Sequence, residues 1–317
     1  MELRQLRSLE VLVESGFSVT LAAERLHLVQ SAVSQHLSRL ERELETELFV
    51  RQGKRLMALT DTGELVLQYA RRILNDTENI LAVGRDQEES VCGELRIGTT
   101  HTQARYVLAP VIRVFREIYP QVNLQIHQGT PQQLVEMADS GSVDFSICTE
   151  ALGEHPNLTA LHCYRWNRSL IAPKGHPVLE RRPLALDTLC EYPLITYVFG
   201  FTGANHFRTS FARLGLKPRV VLSAADTDVI KTYVREGFGV GIIASLAYSS
   251  SVDSDLQVRD LSRLFPWEVT RIAYNKGKYL RRYERRFIEL MQNMVADNGV
   301  VLTQSVKRRP PIHGKKL

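Results

Sequence analysis

The periodicity of the chain changes near Cys92, and this change constrains the fold more than any other feature. Before it, apolar residues recur at helical spacing, as in Leu3, Leu6, Leu9 and Val13. After it, short strand-like apolar runs alternate with helical segments. Such alternation predicts βαβ units and largely parallel sheets. The sequence therefore predicts a helical N-terminal region followed by a larger α/β region.

The α/β region divides into two sets of elements. The first set has strands at 95–97, 122–127 and 143–148, with helices at 109–119 and 132–138. The second, after about residue 163, has strands at 169–172, 194–197, 220–223 and 239–244 and helices at 205–214 and 228–235. A strand at 270–274 and a helix at 281–294 close the region. We predict an α/β domain over 90–298 with two Rossmann-like lobes, lobe I about 90–163 and 267–298 and lobe II about 164–266, and a cleft between them.

Residues 1–59 fit a winged helix-turn-helix. Gly16 ends the first helix, Ser18 can cap the second, and a third helix runs from about 30 to 44. At about 100° per residue, this third helix has two faces: Val33, Leu37, Leu40 and Leu44 on one, Ser31, Gln35, Ser38 and Arg42 on the other. A short polar face on the second helix of such a pair can reach base edges in the major groove.

A basic hairpin is predicted at 48–59, around Gly53. Beside a helix-turn-helix it would form a wing, and its basic residues Arg51, Lys54 and Arg55 could meet phosphates. A solvated loop is the alternative.

A long helix is predicted at 60–89, with Thr60 or Asp61 as its cap. Its apolar stripe favours pairing with a second copy of the helix, and packing against its own domain is the alternative. The stripe comprises Val66, Tyr69, Ile73 and Ile80, widened by Leu65, Leu74 and Leu81.

Composition excludes several classes of protein. With 44% hydrophobic and 24% charged residues, the chain is typical of a soluble globular protein. No apolar run reaches the roughly 20 residues of a membrane span, and the N-terminus lacks a secretory signal, so we expect a cytoplasmic protein with no membrane partner. The four cysteines fit no zinc spacing and are interpreted as buried free thiols. Part of the net charge of +5 lies in a basic tail at 299–317, interpreted as flexible.

Polar turns follow several predicted strands. Thr99–Gln103 follows the first strand, Thr149 follows another, and 199–203 follows a third. Because open α/β sheets bind ligands at the carboxyl ends of their strands, these turns suggest a site for a small anion, a zwitterion or an acylated amino acid. A simple helix cap at Thr100 or Thr102 is the alternative.

Motifs for catalysis are missing from the sequence. It contains no GxSxG elbow, HExxH, Walker A loop or GxGxxG fingerprint, and His101 has no acidic neighbour within its motif. Asp226 and Asp228 lack further metal ligands nearby in sequence, and Asp226 is interpreted as a helix cap. We therefore expect no enzyme activity, no catalytic residue, no metal site and no cofactor.

Residues 18–64, "SVTLAAERLHLVQSAVSQHLSRLERELETELFVRQGKRLMALTDTGE", resemble the winged helix-turn-helix of LysR-type transcriptional regulators. The remainder, except the tail, is similar to the CysB-like branch of that family, which regulates cysteine biosynthesis and sulfur assimilation. The stretches that carry this second resemblance are "TTHTQARY" (99–106), "HQGTP" (127–131), "TEAL" (149–152), "WNRS" (166–169), "YPLITYVFGFTG" (192–203) and "DTDVIKTYVREGFGVGIIAS" (226–245).

The resemblance implies a homotetramer joined through linker-helix dimers, with double-stranded promoter DNA as a partner and RNA polymerase as a further one. It implies an α/β effector domain like that of periplasmic binding proteins. Sulfate, thiosulfate or acetylserine would lie in its cleft, on Thr100, Thr102, Gln103, Thr149, Thr202 and Trp166. DNA contacts would come from Gln30, Ser31, Ser34, Gln35, Ser38, Arg51, Lys54 and Arg55.

Two residues depart from the family pattern. Glu45 stands where glycine is usual, so the third helix must end with strain or in another way. Val29 replaces a hydroxyl residue, so this helix should lack its ordinary N-cap.

Overall fold

The computed structural model describes residues 1–53, 55–85, 92–198 and 204–295. The chain forms two compact units, one built from the N-terminal elements and one from the α/β region. The first unit contains α1 (Leu3–Glu14), α2 (Val19–Arg25), α3 (Gln30–Glu43), β1 (Phe49–Gln52), β2 (Arg55–Leu59) and α4 (Asp61–Arg85).

The first unit has the predicted winged helix-turn-helix. The Ser18 hydroxyl accepts the amide hydrogen of Leu21 and caps α2, as expected. The Thr60 hydroxyl accepts that of Gly63 at the start of α4. The antiparallel pair β1–β2 forms the predicted hairpin. Leucines from α1, α3 and α4, including Leu9 and Leu40, share one core.

The second unit alternates strands and helices: β3 (Gly93–Thr99), α5 (His101–Gln103), α6 (Ala109–Ile118), β4 (Val122–Gln128), α7 (Pro131–Asp139), β5 (Phe145–Cys148), β6 (Leu158–Trp166), β7 (Arg168–Pro173), α8 (Leu186–Cys190), β8 (Leu194–Tyr197), α9 (Ala204–Ala212), β9 (Val220–Ala224), α10 (Thr227–Arg235), β10 (Val240–Ala244), β11 (Leu256–Asp260), β12 (Glu268–Asn275) and α11 (Arg282–Met294). A π-helical segment, Ala104–Leu108, joins α5 to α6.

The strands form two five-stranded sheets, in the orders β4-β3-β5-β12-β6 and β11-β7-β10-β8-β9. We call them lobe I and lobe II. The chain passes from lobe I to lobe II between β6 and β7 and returns between β11 and β12. Aromatic residues fill both cores, with Phe115, Phe145 and Phe287 in lobe I and Phe207 and Phe211 in lobe II.

The prediction of largely parallel sheets is wrong for half of each sheet. Among the described strands, β3 is parallel to β4 and β5, and β8 is parallel to β9 and β10. The pairs β5–β12, β12–β6, β10–β7 and β7–β11 are antiparallel. Each antiparallel pair contains β7 or β12. These are the strands with which the chain enters lobe II and re-enters lobe I, and each runs opposite to both of its neighbours. The strands β6 and β11 were not predicted: β6 shows no clear apolar alternation, and β11 alternates over only the four residues Leu256 to Arg259.

Candidate functional site

The α3 helix presents a polar surface opposite its buried side. Val33, Leu37 and Leu40 are buried as predicted, but Leu44 is 37% exposed because it is the C-cap rather than a residue of the helix. The predicted apolar face is therefore one residue shorter.

The outward face of α3 carries exposed side chains at Ser31, Ser34, Gln35 and Ser38. None of these four makes a side-chain hydrogen bond to another described residue. Gln30 is also exposed, but its amide donates to the Thr20 hydroxyl on α2. Arg39 is a further exposed residue of α3 that the sequence reasoning did not select, although its position next to Gln35 on the helical wheel was available.

The basic residues of the hairpin, which were predicted to contact phosphates, differ in their surroundings. Arg51 is exposed, and its guanidinium pairs with the Glu41 carboxylate of α3. Arg55 is exposed at the start of β2. Lys54 lies outside the described residues. Gly53 takes a positive φ of 61°, as a tight hairpin turn requires.

Both ends of α3 show the consequences of its unusual residues. Val29 is the N-cap and makes no side-chain capping bond, as predicted. At the other end Glu45 adopts the left-handed conformation, with φ of 50°. The amide of Glu45 donates to the Arg42 carbonyl and that of Thr46 to the Glu41 carbonyl. This is a Schellman motif in which glutamate occupies the glycine position, so the strained alternative is the one adopted.

Some residues of the apolar stripe of α4 are buried and others are exposed. Of the predicted stripe, Leu74 is buried in the core of the first unit and Val66 packs against that core; Leu67 and Ala70, which the prediction did not include, are buried there as well. Tyr69 and Ile80 are 62% and 73% exposed, and Leu65, Ile73 and Leu81 are exposed too. Packing within the first unit therefore uses only part of the stripe.

Four of the predicted effector residues meet in the α/β unit, three of them in one chain of neutral hydrogen bonds. Trp166 Nε1 donates to Thr149 Oγ1 at 3.0 Å, and this hydroxyl lies 3.3 Å from Thr270 Oγ1. Gln103 Nε2 donates to the same Thr270 oxygen at 3.4 Å, and the Tyr164 hydroxyl donates to Gln103 Oε1. This series of hydrogen bonds lies at the carboxyl ends of β3 and β5. The fourth residue, Thr102, extends the set to lobe II.

Thr102 and Thr100 occupy the first turn of the helical run that begins at His101. Thr102 Oγ1 lies 3.4 Å from Thr227 Oγ1, on lobe II. The Tyr197 hydroxyl lies 2.6 Å from the same Thr227 oxygen. Thr100 is the N-cap residue and is buried, but its side chain makes no capping bond within the described structure. A simple cap therefore does not account for this hydroxyl. Thr202 lies outside the described residues.

Sequence reasoning missed Tyr164, Thr270, Tyr197 and Thr227. Thr270 lies on a predicted strand, but no local signal placed it beside Thr149, 121 residues away. Tyr164 lies on β6, which was not predicted at all.

Two buried ion pairs lie near this site. Arg168 is buried and its guanidinium lies 2.7 Å from the Glu268 carboxylate, which His206 Nδ1 also approaches at 2.9 Å. Lys231 and Asp253 form a second buried pair at 2.6 Å. A cavity of about 520 Å³ opens beside Thr149 and is lined also by His206, Trp267, Glu268 and Arg271, among others.

His101 gains an acidic neighbour that its sequence motif lacks. One potential ligand atom each from His101, Asp226 and Asp228 lies within 4.8 Å of the others. The carboxylates are engaged, however. Asp226 caps α10 by accepting the Val229 amide hydrogen at 2.9 Å, as predicted, and Asp228 accepts the Tyr106 hydroxyl at 2.8 Å.

The cysteines are all free. Cys148 and Cys163 are buried, and burial raises the pKa of each thiol to about 12, so neither is a thiolate at neutral pH. Cys190 is partly buried. Cys92 is exposed, so the prediction of a buried thiol is wrong there: it immediately precedes β3 rather than lying within the sheet.

The family follows from comparison with known proteins. Residues 3–64 match the family described as "Bacterial regulatory helix-turn-helix protein, lysR family", and residues 88–296 match "LysR substrate binding domain". The chain belongs to the LysR family of transcriptional regulators. Together with the winged motif, this makes it a DNA-binding regulator.

Three transcriptional regulators show the degree of similarity. The regulator SsuR of Burkholderia cenocepacia is 42% identical, over 92% of this chain and 94% of its own. CysB of the same organism is 41% identical, over 97% of both chains. The crystal structure of the cofactor-binding domain of the Cbl transcriptional regulator has a TM-score of 0.62 and 41% identity, covering 64% of this chain and 89% of that one. Among the described residues no helix has the length and apolar composition of a membrane span.

Proposed function

We propose that this LysR-family protein regulates sulfur-assimilation and cysteine-biosynthesis genes. Sulfate, thiosulfate or acetylserine in the cleft between the lobes would control it. The observation that carries the proposal is the set of neutral donors and hydroxyls from Thr102, Gln103, Thr149 and Trp166, which meets at the strand ends. The similarity to CysB supports the choice of genes.

Neutral donors suit a small oxyanion for a physical reason. Backbone amides at the start of the helical run at His101 supply positive potential, and hydroxyls add hydrogen bonds that do not need a cationic side chain. The buried cations nearby, Arg168 and Lys231, are already neutralised by Glu268 and Asp253, whereas Arg271 lines the cavity beside Thr149. Thr100 offers a buried hydroxyl without a capping role, which is free to meet the ligand.

The cavity beside Thr149 supports the larger effector candidate. Its volume of about 520 Å³ falls within the range of small-molecule sites, roughly 300–1,000 Å³. An acetylserine could place its polar groups on the threonines and extend into this space. Another sulfonate or oxyanion is the second candidate, because the same donors would accept it.

At the DNA end, we propose that the four free polar side chains of α3 read base edges and that the wing arginines contact phosphates. The exposed part of the α4 stripe supports self-association through this helix, up to the homotetramer expected from the family. Replacing exposed Ile80 with glutamate should lower the mass measured by analytical ultracentrifugation.

Isothermal calorimetry tests the effector proposal, with sulfate, thiosulfate, O-acetylserine and N-acetylserine as ligands. Thr100→Val should abolish binding of the cognate ligand. The matched control Thr62→Val, at an exposed threonine of α4, should bind as wild type does. Equal affinity in wild type and Thr100→Val would remove this cleft from the proposal.

Turnover distinguishes the third candidate, a solute-binding protein or enzyme that carries a helical domain. Purified protein incubated with O-acetylserine should leave it unchanged. Hydrolysis above the buffer rate would favour the enzyme.

A further inference from the structure

The helical segment that carries Thr102 and Gln103 also carries a side chain that enters the other lobe. Tyr106 lies one turn after Thr102, on lobe I, and its ring packs against the apolar core of lobe II. Its hydroxyl donates to Asp228 Oδ1 at 2.8 Å and accepts from Lys231 Nζ at 3.2 Å. Burial and the bond to Asp228 both raise the pKa of Tyr106, so this hydroxyl keeps its proton.

The Asp228 carboxylate of lobe II therefore lies within 4.0 Å of side-chain atoms from three residues of lobe I. Besides Tyr106, the Arg105 guanidinium reaches Asp228 Oδ2 at 3.2 Å and His101 Nδ1 lies 4.0 Å from the same oxygen. Asp228 is itself held in the first turn of α10, where the helix dipole favours its negative charge.

On lobe II, ion pairs to Asp253 hold the Lys231 side chain that contacts Tyr106. Lys231 lies one turn after Asp228 on α10 and is buried against Asp253 at 2.6 Å. Arg235 pairs with the other oxygen of Asp253 at 3.0 Å. Lys231 therefore holds one orientation, with its ammonium 5.0 Å from the centre of the Tyr106 ring.

The same two segments set the geometry of the ligand site. Thr227 precedes Asp228, and Thr102 lies one turn before Tyr106, so the 3.4 Å contact between Thr102 and Thr227 lies beside the Tyr106–Asp228 bond. Separating Tyr106 from Asp228 would move the Thr102 hydroxyl away from lobe II.

We propose that Asp228 is a positioning residue: through Tyr106 and Arg105 it holds the Thr102 segment against lobe II and sets the fraction of molecules with a closed cleft. This inference rests on the proposed effector site. Because apparent affinity scales with the fraction of the binding-competent state, loss of the contact weakens effector binding although no group that touches the effector has changed.

The experiment compares Asp228→Ala, Asp228→Asn and Tyr106→Phe with the control Asp255→Asn, which alters an exposed carboxylate next to Arg235. Calorimetry with thiosulfate and N-acetylserine gives Kd. Asp228→Ala and Tyr106→Phe should each weaken binding by about tenfold. Asp228→Asn should lose less, because its amide oxygen still accepts the Tyr106 hydrogen. The double variant of Tyr106→Phe with Asp228→Ala should be no weaker than Asp228→Ala alone.

Hydrogen–deuterium exchange of the amides of 101–108, without ligand, provides a readout that is independent of the effector. Exchange should be faster in Asp228→Ala and Tyr106→Phe and unchanged in Asp255→Asn. If wild type binds and both variants keep its Kd, the inference is overturned. If wild type binds neither these probes nor sulfate or O-acetylserine, the effector assignment fails, and unchanged exchange in Asp228→Ala would then overturn the positioning role separately.

Discussion

The surface of α3 and the cleft of the α/β unit use the same small polar side chains in opposite ways. On α3, Ser34 and Gln35 are exposed and make no side-chain bond to another described residue. In the cleft, Gln103 and Thr270 are buried and bonded to their neighbours. An exposed side chain can contribute to recognition without contributing to stability, whereas a buried, bonded one in the proposed effector site contributes to stability as well. Substitutions in the two regions should therefore separate binding from folding.

The largest change in the free energy of unfolding is expected at the buried ion pair of Lys231 and Asp253. Asp253→Asn leaves a buried ammonium without its counter-charge, so the free energy of unfolding should fall by about 3–5 kcal/mol. Urea denaturation followed by circular dichroism measures this. Asp255→Asn is the matched control: its carboxylate is exposed and should contribute at most about 1 kcal/mol. A similar loss in both variants would show that burial is not the cause.

The same pair predicts an acid dependence. Burial opposes ionisation of Asp253, but bonds from Lys231, the Ser249 amide and Arg235 prevail and lower its pKa below 3.8. A carboxyl group with a folded pKa below its unfolded value stabilises the protein above the unfolded pKa and loses this contribution as pH falls through the folded one. Wild type should therefore lose more stability below about pH 4 than Asp253→Asn does.

At the DNA surface the opposite pattern is expected. Gln35→Ala should weaken binding to the preferred sequence by about 1–3 kcal/mol and relax base preference, while leaving unfolding unchanged. Electrophoretic mobility shifts at several salt concentrations measure the affinity. Gln68→Ala, at an exposed glutamine of α4, is the control and should leave both properties as in wild type. Reduced stability in Gln35→Ala would contradict the view that this side chain is free.

In the cleft, Thr270→Val should affect both properties. It removes the hydroxyl shared by Thr149 and Gln103, and we expect a loss of about 1–2 kcal/mol in unfolding because both bonds are long. Effector affinity should fall in the same variant, as measured by calorimetry. Normal stability with weakened binding would show that Thr270 acts only on the ligand.

The surface of α3 was also predicted more completely from the sequence than the cleft was. Helical periodicity identified the buried and exposed faces of α3, apart from Leu44, because the faces of a helix depend on residues three and four apart. The polar strand ends at Thr100 and Thr149 were found for a similar local reason. The partners Tyr164 and Thr270 were not, because no short stretch encodes strand register: Thr270 reaches Thr149 through the pairing of β12 with β5, and Tyr164 lies opposite Thr270 through the pairing of β12 with β6.

The end of α3 provides the smallest and most local test. Glu45 adopts a positive φ, which costs a residue with a side chain roughly 1 kcal/mol compared with glycine. Glu45→Gly should therefore raise the unfolding free energy of the first unit by about that amount, with the polar face of α3 unchanged. Glu47→Gly, two residues further on and outside the left-handed region, should give no such gain, because there glycine only increases the entropy of the unfolded chain. If DNA affinity changed in Glu45→Gly while Gln35→Ala behaved as predicted, the strained turn would be setting the orientation of α3 on the groove. If only stability changed, the departure at Glu45 would bear on folding and not on recognition.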